Sequence, residues 1–193
     1  MHFFTQKIVC RLFGAAMLAL LLLSAPIQSA NAAEKSKAGI SDLKSVYIFN
    51  FIRFTEWPKN SVKPKDSGVS INVLHDQGVY QTLKSIIAKP VAKDLGLRLQ
   101  SCQQDECMLN SSALYIGESG RQDFKRLLTL LEGEAVLTIS DIPGFAEQGG
   151  MVEIKYHNKK LTFVVNLQAV ERAGFYISAQ LLQLGEIVGR DNE

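Results

Sequence analysis

Three consecutive stretches decide how this chain folds: AVLTIS (residues 135–140), GFAEQGG (144–150) and MVEIKY (151–156). The first reads as a buried strand. The second carries the glycines of a phosphate-cradling loop, but such a loop must lead into a helix, whose N-terminal amides and dipole hold the phosphate. Here the glycines lead into another strand, with neither a GK[ST] ending nor G-x-G-x-x-G spacing. The segment therefore predicts a tight, positive-φ turn at Gly149-Gly150 that re-aims a parallel strand into a hairpin, while Phe145 plugs the core.

Toward the C-terminus, residues 151–156 and 161–166 flank the short polar connection 157–160, the pattern of an antiparallel β-hairpin. A last helix is expected over 178–188, burying Leu181, Leu184 and Val188. Toward the N-terminus, strands at 69–74, 95–100 and 113–116 alternate with helices at about 77–88 and beyond Gly120, where Phe124, Leu127, Leu128 and Leu131 share a face. Alternation of this kind predicts an α/β fold, a three-layer and mostly parallel sheet flanked by helices, ending in the hairpin.

The aromatic helix that leads this body spans residues 41–56. Leu43, Val46, Tyr47, Phe51 and Phe54 follow the spacing of one helical face and are expected in the core. Ile48, Phe49 and Ile52 populate the other side, so the helix is apolar nearly all round and must be covered on both faces. We expect the second face, with Phe49, Ile52, Arg53 and Trp57, to meet a dimer mate or a client protein. Trp57-Pro58 ends the helix, because a residue before proline is pushed out of the helical region.

Residues 1–32 read as a secretory signal and are set apart from the fold. Lys7 and Arg11 precede the apolar run 12–25, and Ala30-Asn31-Ala32 supplies small residues for cleavage near Ala32. The run is well short of the roughly 20 residues that span a bilayer. Export to a periplasm is expected, with residues 33–193 forming a single domain. The signal removes two of the 21 basic residues and no acidic one, leaving 19 against 19 acidic. With no basic excess, the electrostatic term that dominates nucleic-acid binding is missing.

Export also leaves Cys102 and Cys107 as a close pair in an oxidising compartment, where a disulfide is the expected state. Metal binding needs more ligands than His75 and His157 supply, so no metal is expected. Gly117-Glu-Ser-Gly120 lies between a strand and a helix, yet Arg121 breaks the G-x-S-x-G elbow, and His75 and His157 are the only histidines beyond the signal that could serve Ser119 as a base. Ser119 reads as a helix N-cap, and the amides of Gly117, Ser119 and Gly120 could hold an anion. Asp105, Glu106 and Asp141 lie in polar turns and read as solvated charge. No catalytic residue and no cofactor is expected.

At this point the residues resemble a known family. Phe54, Glu56, Trp57 and Pro58 in FIRFTEWP (51–58), Phe145, Gly149 and Gly150 in the GF…GGM turn, Asn166 in LTFVVNL (161–167), and Gly174 after Ala173 are together similar to the YfiR-like periplasmic family. The likeness runs from about residue 41 to the end. It implies a periplasmic regulator, often dimeric, that holds an inner-membrane diguanylate cyclase inactive by binding its periplasmic sensory domain, and so acts in cyclic-di-GMP signalling and biofilm control. An OmpA-like outer-membrane lipoprotein would sequester the regulator. Other members resemble accessory proteins of sensor kinases or transport systems, and a small-molecule or anion sensor is the competing class. Some resembling proteins carry cysteines where Ser112, Ala146 and Glu153 stand here, so the Cys102/Cys107 pair resembles a replacement staple.

Overall fold

The computed structural model describes residues 27–58, 68–93, 95–158 and 160–189. The chain divides into two compact units, residues 1–37 and 38–193. Most of the expected signal, residues 1–26, lies outside the described residues, and of the first unit residues 27–37 are helical. Helix α1 is Ile27–Arg53, and no helix among the described residues is long and apolar enough to cross a membrane.

Among the described residues the second unit holds a seven-stranded sheet, in the order Arg98–Gln100 (β3), Ser70–Leu74 (β2), Ala113–Ile116 (β4), Leu137–Ser140 (β5), Val152–His157 (β6), Lys160–Asn166 (β7) and Glu186–Val188 (β9). Strands β2 (Ser70–Leu74), β3 (Arg98–Gln100), β4 (Ala113–Ile116), β5 (Leu137–Ser140) and β6 (Val152–His157) run parallel. Strand β7 (Lys160–Asn166) returns antiparallel to β6, in register from Val152↔Val165 to His157↔Lys160. The parallel sheet and its closing hairpin are those the sequence predicts.

Alternation of side chains splits the core in two. Ile71, Val73, Tyr115 and Ile139 face α1 and α2 (Gln77–Ile87), while Leu74, Leu114 and Ile116 face Met108 of α4 (Asp105–Leu109), α5 (Phe124–Leu130) and Phe145. Helix α3 is the single turn Pro90–Lys93. Every residue of β2, β4 and β5 is buried, as strands covered on both faces require. Helix α2 starts where Asp76 accepts the amide of Val79 at 3.0 Å and buries Val79, Leu83 and Ile86.

The C-terminal end departs from expectation. Instead of one helix over 178–188 there is a turn, α7 (Ala179–Leu182), followed by strand β9 (Glu186–Val188), which pairs parallel with β7. Leu181 is buried as expected, whereas Leu184 is 74 % exposed. The apolar spacing was helical, but β7 offers a free sheet edge, and satisfying that row of amides and carbonyls outweighs the pattern. Gly185 permits the switch, because a Cβ there would overlap the ring of Phe163. A separate two-stranded ribbon joins β1 (Thr55–Glu56) to β8 (Tyr176–Ile177), and α6 (Leu167–Arg172) lies between β7 and β8.

Cys102 and Cys107 form the expected disulfide, with Cα atoms 6.1 Å apart. The loop it closes is held a second time. Fully buried Asn72 on β2 donates to the Cys102 carbonyl at 2.9 Å and accepts its amide at 3.0 Å, while the Ser111 hydroxyl donates to the Cys107 carbonyl at 2.7 Å. Closing so short a loop constrains the unfolded chain by about 2 kcal/mol. Replacing both cysteines by alanine should therefore lower stability by about 2 kcal/mol or less in denaturant titrations. A loss above about 4 kcal/mol would mean that the bridge, and not Asn72, sets the loop.

Candidate functional site

Helix α1 meets the sheet through an arc that the apolar spacing did not single out. Ser45, Ile48, Phe49 and Ile52 stand at i, i+3, i+4 and i+7, and all four are buried. The Ser45 hydroxyl donates to the Ser41 carbonyl at 2.7 Å and reaches the Val79 carbonyl at 3.3 Å, so the smallest side chain of the arc sits where α1 touches α2. Gly78 allows the same approach, since a Cβ on it would come 2.5 Å from the Ser41 hydroxyl. Phe49, at 8 % exposure, and Ile52, at 2 %, are thus core residues of their own subunit, which corrects their expected place at an interface.

The expected core face is split. Tyr47 and Phe51 turn inward around Phe163, with edge-to-face rings 6.0 and 5.0 Å away, and the Tyr47 hydroxyl donates to the Leu161 carbonyl. Leu43, Val46 and Phe54 turn outward at 45, 47 and 38 % exposure. With half-buried Asn50 they form one helical row facing solvent. The row ends beside the β1–β8 ribbon, where the Arg53 guanidinium stacks 5.4 Å from the Phe54 ring and Tyr176 is exposed. Of the residues expected at an interface, Arg53 is exposed and Trp57 is half-buried against Phe175, their rings 5.4 Å apart.

What fixes the helix in this rotation is an ionic cluster beneath it. The Lys44 ammonium lies 2.5 Å from the Asp141 carboxylate and 3.3 Å from that of Asp76, and the Tyr115 hydroxyl is 3.5 Å from Asp76. Asp76 follows β2 and Asp141 follows β5, so both sit at the C-terminal edge of the sheet. The sheet order reverses between β2 and β4, which makes this the topological switch point, the crevice where doubly wound sheets place their ligands. Here α1 fills it with its own lysine.

The solvated role expected for Asp141 is thereby corrected, since its side chain is only 11 % accessible and its Oδ1 is buried with no hydrogen-bond partner. Burial by itself would lower the Lys44 pKa, but the hydrogen bond and charge of Asp141, reinforced by Asp76, outweigh it and raise the value. Burial first, then the same two carboxylates, pushes the Tyr115 hydroxyl well above its ordinary value.

The loops that follow β2 and β4 are tied to each other. His75 takes a positive φ of 60°, its carbonyl accepts the Ser119 hydroxyl at 2.5 Å, and Cβ atoms on Gly117 or Gly120 would collide with it. Ser119 is therefore not a helix N-cap but a tie between two loops. The amide of Gly117 bonds Leu74 and that of Gly120 bonds Gly117, so the expected anion cradle has spent two of its three donors internally. Glu118–Gly120 is a single 3-10 turn and α5 begins only at Phe124, too late to aim its amides at these residues. Among the described residues no group of three or more His, Cys, Asp or Glu is placed to hold a metal ion.

The motif residues have structural duties. Phe145 is fully buried and a Cβ on Gly150 would overlap its ring, while Gly144 and Gly149 take φ of 78° and 103°. The turn is held by Glu153, 2 % exposed, whose carboxylate accepts the amides of Gly144 and Ala146 at 3.1 and 3.2 Å. A carboxylate-to-amide pair thus joins Ala146 and Glu153, two of the three positions singled out by the sequence resemblance. Asn166 caps α6 by accepting the Ala169 amide and donates to the Ala146 carbonyl at 2.8 Å. Gly174, at φ 76°, packs against Pro58, and Glu56 pairs with Tyr176 in the ribbon.

Comparison with known proteins adds one family. The YfiR/HmsC-like family model matches residues 41–186, which covers α1 from Ser41, the turn motifs and the sheet up to the first residue of β9. No curated protein matches the chain. Among solved structures it is similar to an ABC domain in complex with L-Trp from Streptococcus pneumonia, at 10 % identity and a TM-score of 0.45, over 64 % of this chain and 56 % of that one.

Proposed function

The chain belongs to the YfiR/HmsC-like family, and from that membership we propose that it is an exported, periplasmic regulatory binding protein that represses an inner-membrane diguanylate cyclase by binding its periplasmic domain. Residues 1–32 serve as its signal peptide and residues 33–193 as its single domain. It has no catalytic role in this reading, and it works as a homodimer whose output is cyclic-di-GMP level and biofilm formation. An OmpA-like lipoprotein of the outer membrane is the candidate for its sequestration.

The observation that carries this reading is the outward row of Leu43 and Val46 on α1 and Phe54 directly after it, with Tyr176 beside it. A helix anchored by buried charge presents these side chains without flexibility, and a row of exposed apolar groups on a rigid element marks a protein-binding face. The client's periplasmic domain is its occupant.

Leu43→Glu combined with Val46→Glu tests the assignment. Both positions face water, so stability should change by no more than about 0.5 kcal/mol each, while co-purification with the crosslinked membrane cyclase and repression of cyclic-di-GMP should both fall sharply. Full repression by this variant would exclude the face. Capture of a sensor kinase or a transport receptor in place of a cyclase would keep the face and replace the client.

A further inference from the structure

A cavity of about 450 Å³ opens between α5, the Gln148–Met151 turn and α6. That volume lies within the roughly 300–1,000 Å³ of small-molecule sites. Its floor is apolar: Leu131 and Met151 are buried, and Ala169 and Ala173 of the α6 segment are half-buried. The floor is also fixed in advance, because the buried Thr138 hydroxyl accepts the Met151 amide at 3.1 Å. A preformed floor lowers the ordering cost of binding.

Two charges of opposite sign line the same cavity without meeting. Glu132 comes from the turn after α5 and Arg172 from the last turn of α6; both are exposed, and neither forms an ion pair among the described residues. The bond from Arg172 goes to the neutral Gln168. Added Cβ atoms at Gly133 and Gly149, which also line the opening, would meet nothing, so no side chain closes it.

We propose that this cavity is a binding site for a small amphipathic zwitterion, with an apolar body on the floor, a carboxylate on Arg172 and an ammonium on Glu132. A guanidinium is the side chain best shaped to take a carboxylate, through two parallel hydrogen bonds. A simple anion leaves Glu132 opposing it, and a simple cation leaves Arg172 doing the same.

Calorimetry on the mature protein with norleucine and 6-aminohexanoate, against hexanoate and hexylammonium, tests the site. At least one zwitterion should bind saturably, with both singly charged probes weaker by about tenfold, the value of one good polar contact. Arg172→Ala, a surface change, should weaken the zwitterion by about tenfold, and Ala173→Trp, which fills the cavity, should abolish binding. No saturable binding of either zwitterion overturns the proposal, as does hexanoate or hexylammonium binding equally well. Binding that survives Arg172→Ala unchanged overturns the location, and needs no result from the bulkier variant.

Discussion

Lys44→Ala should destabilise the fold by about 3 kcal/mol, the lower end of what removing one partner from a buried ion pair costs. The lower end applies because the three side chains keep 11–17 % of their surface in contact with solvent. Two carboxylates would then face each other under α1 with no cation, beside an Asp141 oxygen that already lacks a partner. Asp76→Asn and Asp141→Asn should each cost far less, since either leaves one carboxylate for one ammonium and an asparagine still caps α2. Chemical denaturation of the three variants checks the order. Were Lys44→Ala the mildest of them, the cluster could not be what holds α1.

The same cluster sets the alkaline limit. Lys44 and Tyr115 both have folded pKa values above their ordinary ones, so the stability they contribute is complete below the unfolded values and declines as pH rises past them. The window opens near the ordinary tyrosine value of 10.0. Tyr115 should ionise only above its ordinary value, and its tyrosinate absorbance should appear together with unfolding rather than before it.

The sequence disclosed the sheet more readily than the rotation of α1. Strands covered on both faces are apolar throughout, so β2, β4 and β5 stand out by composition. The inward arc of α1 contains Ser45, a polar residue buried because it is small and can bond a helical carbonyl, and so the apolar spacing pointed to the wrong arc. Lys44 was the available signal: a charge in the middle of a helix that is apolar all round needs a buried counter-charge. Its partners were beyond reach, as Asp76 and Asp141 lie 32 and 97 positions further along the chain and meet it only because β2 and β5 end at the same edge. The C-terminal helix failed for a related reason, since local spacing carries no information about the free edge of β7. The glycine turn was legible because its chemistry is local.

Phe145→Ala should cost about 3–5 kcal/mol, the usual loss for a fully buried phenylalanine whose surroundings cannot collapse into the space. Collapse is hindered here on every side. Gly144 and Ala146, its neighbours, are tied through their amides to Glu153, and the Gly150 amide bonds the Phe145 carbonyl itself at 2.9 Å. Phe124 stands 5.9 Å away at a tilt, so the lost ring also removes an aromatic contact. Gly150 does not take a positive φ, which makes its lack of a side chain a matter of space alone. Gly150→Ala should therefore cost about 1–3 kcal/mol in the parent protein, as overpacking does, and much less once Phe145 is alanine. That reversal of additivity, read from a double-mutant cycle, separates a glycine kept for the ring from one kept for its backbone. Equal costs in both backgrounds would mean that Gly150 serves the turn, and that Phe145 fills a space the turn does not define.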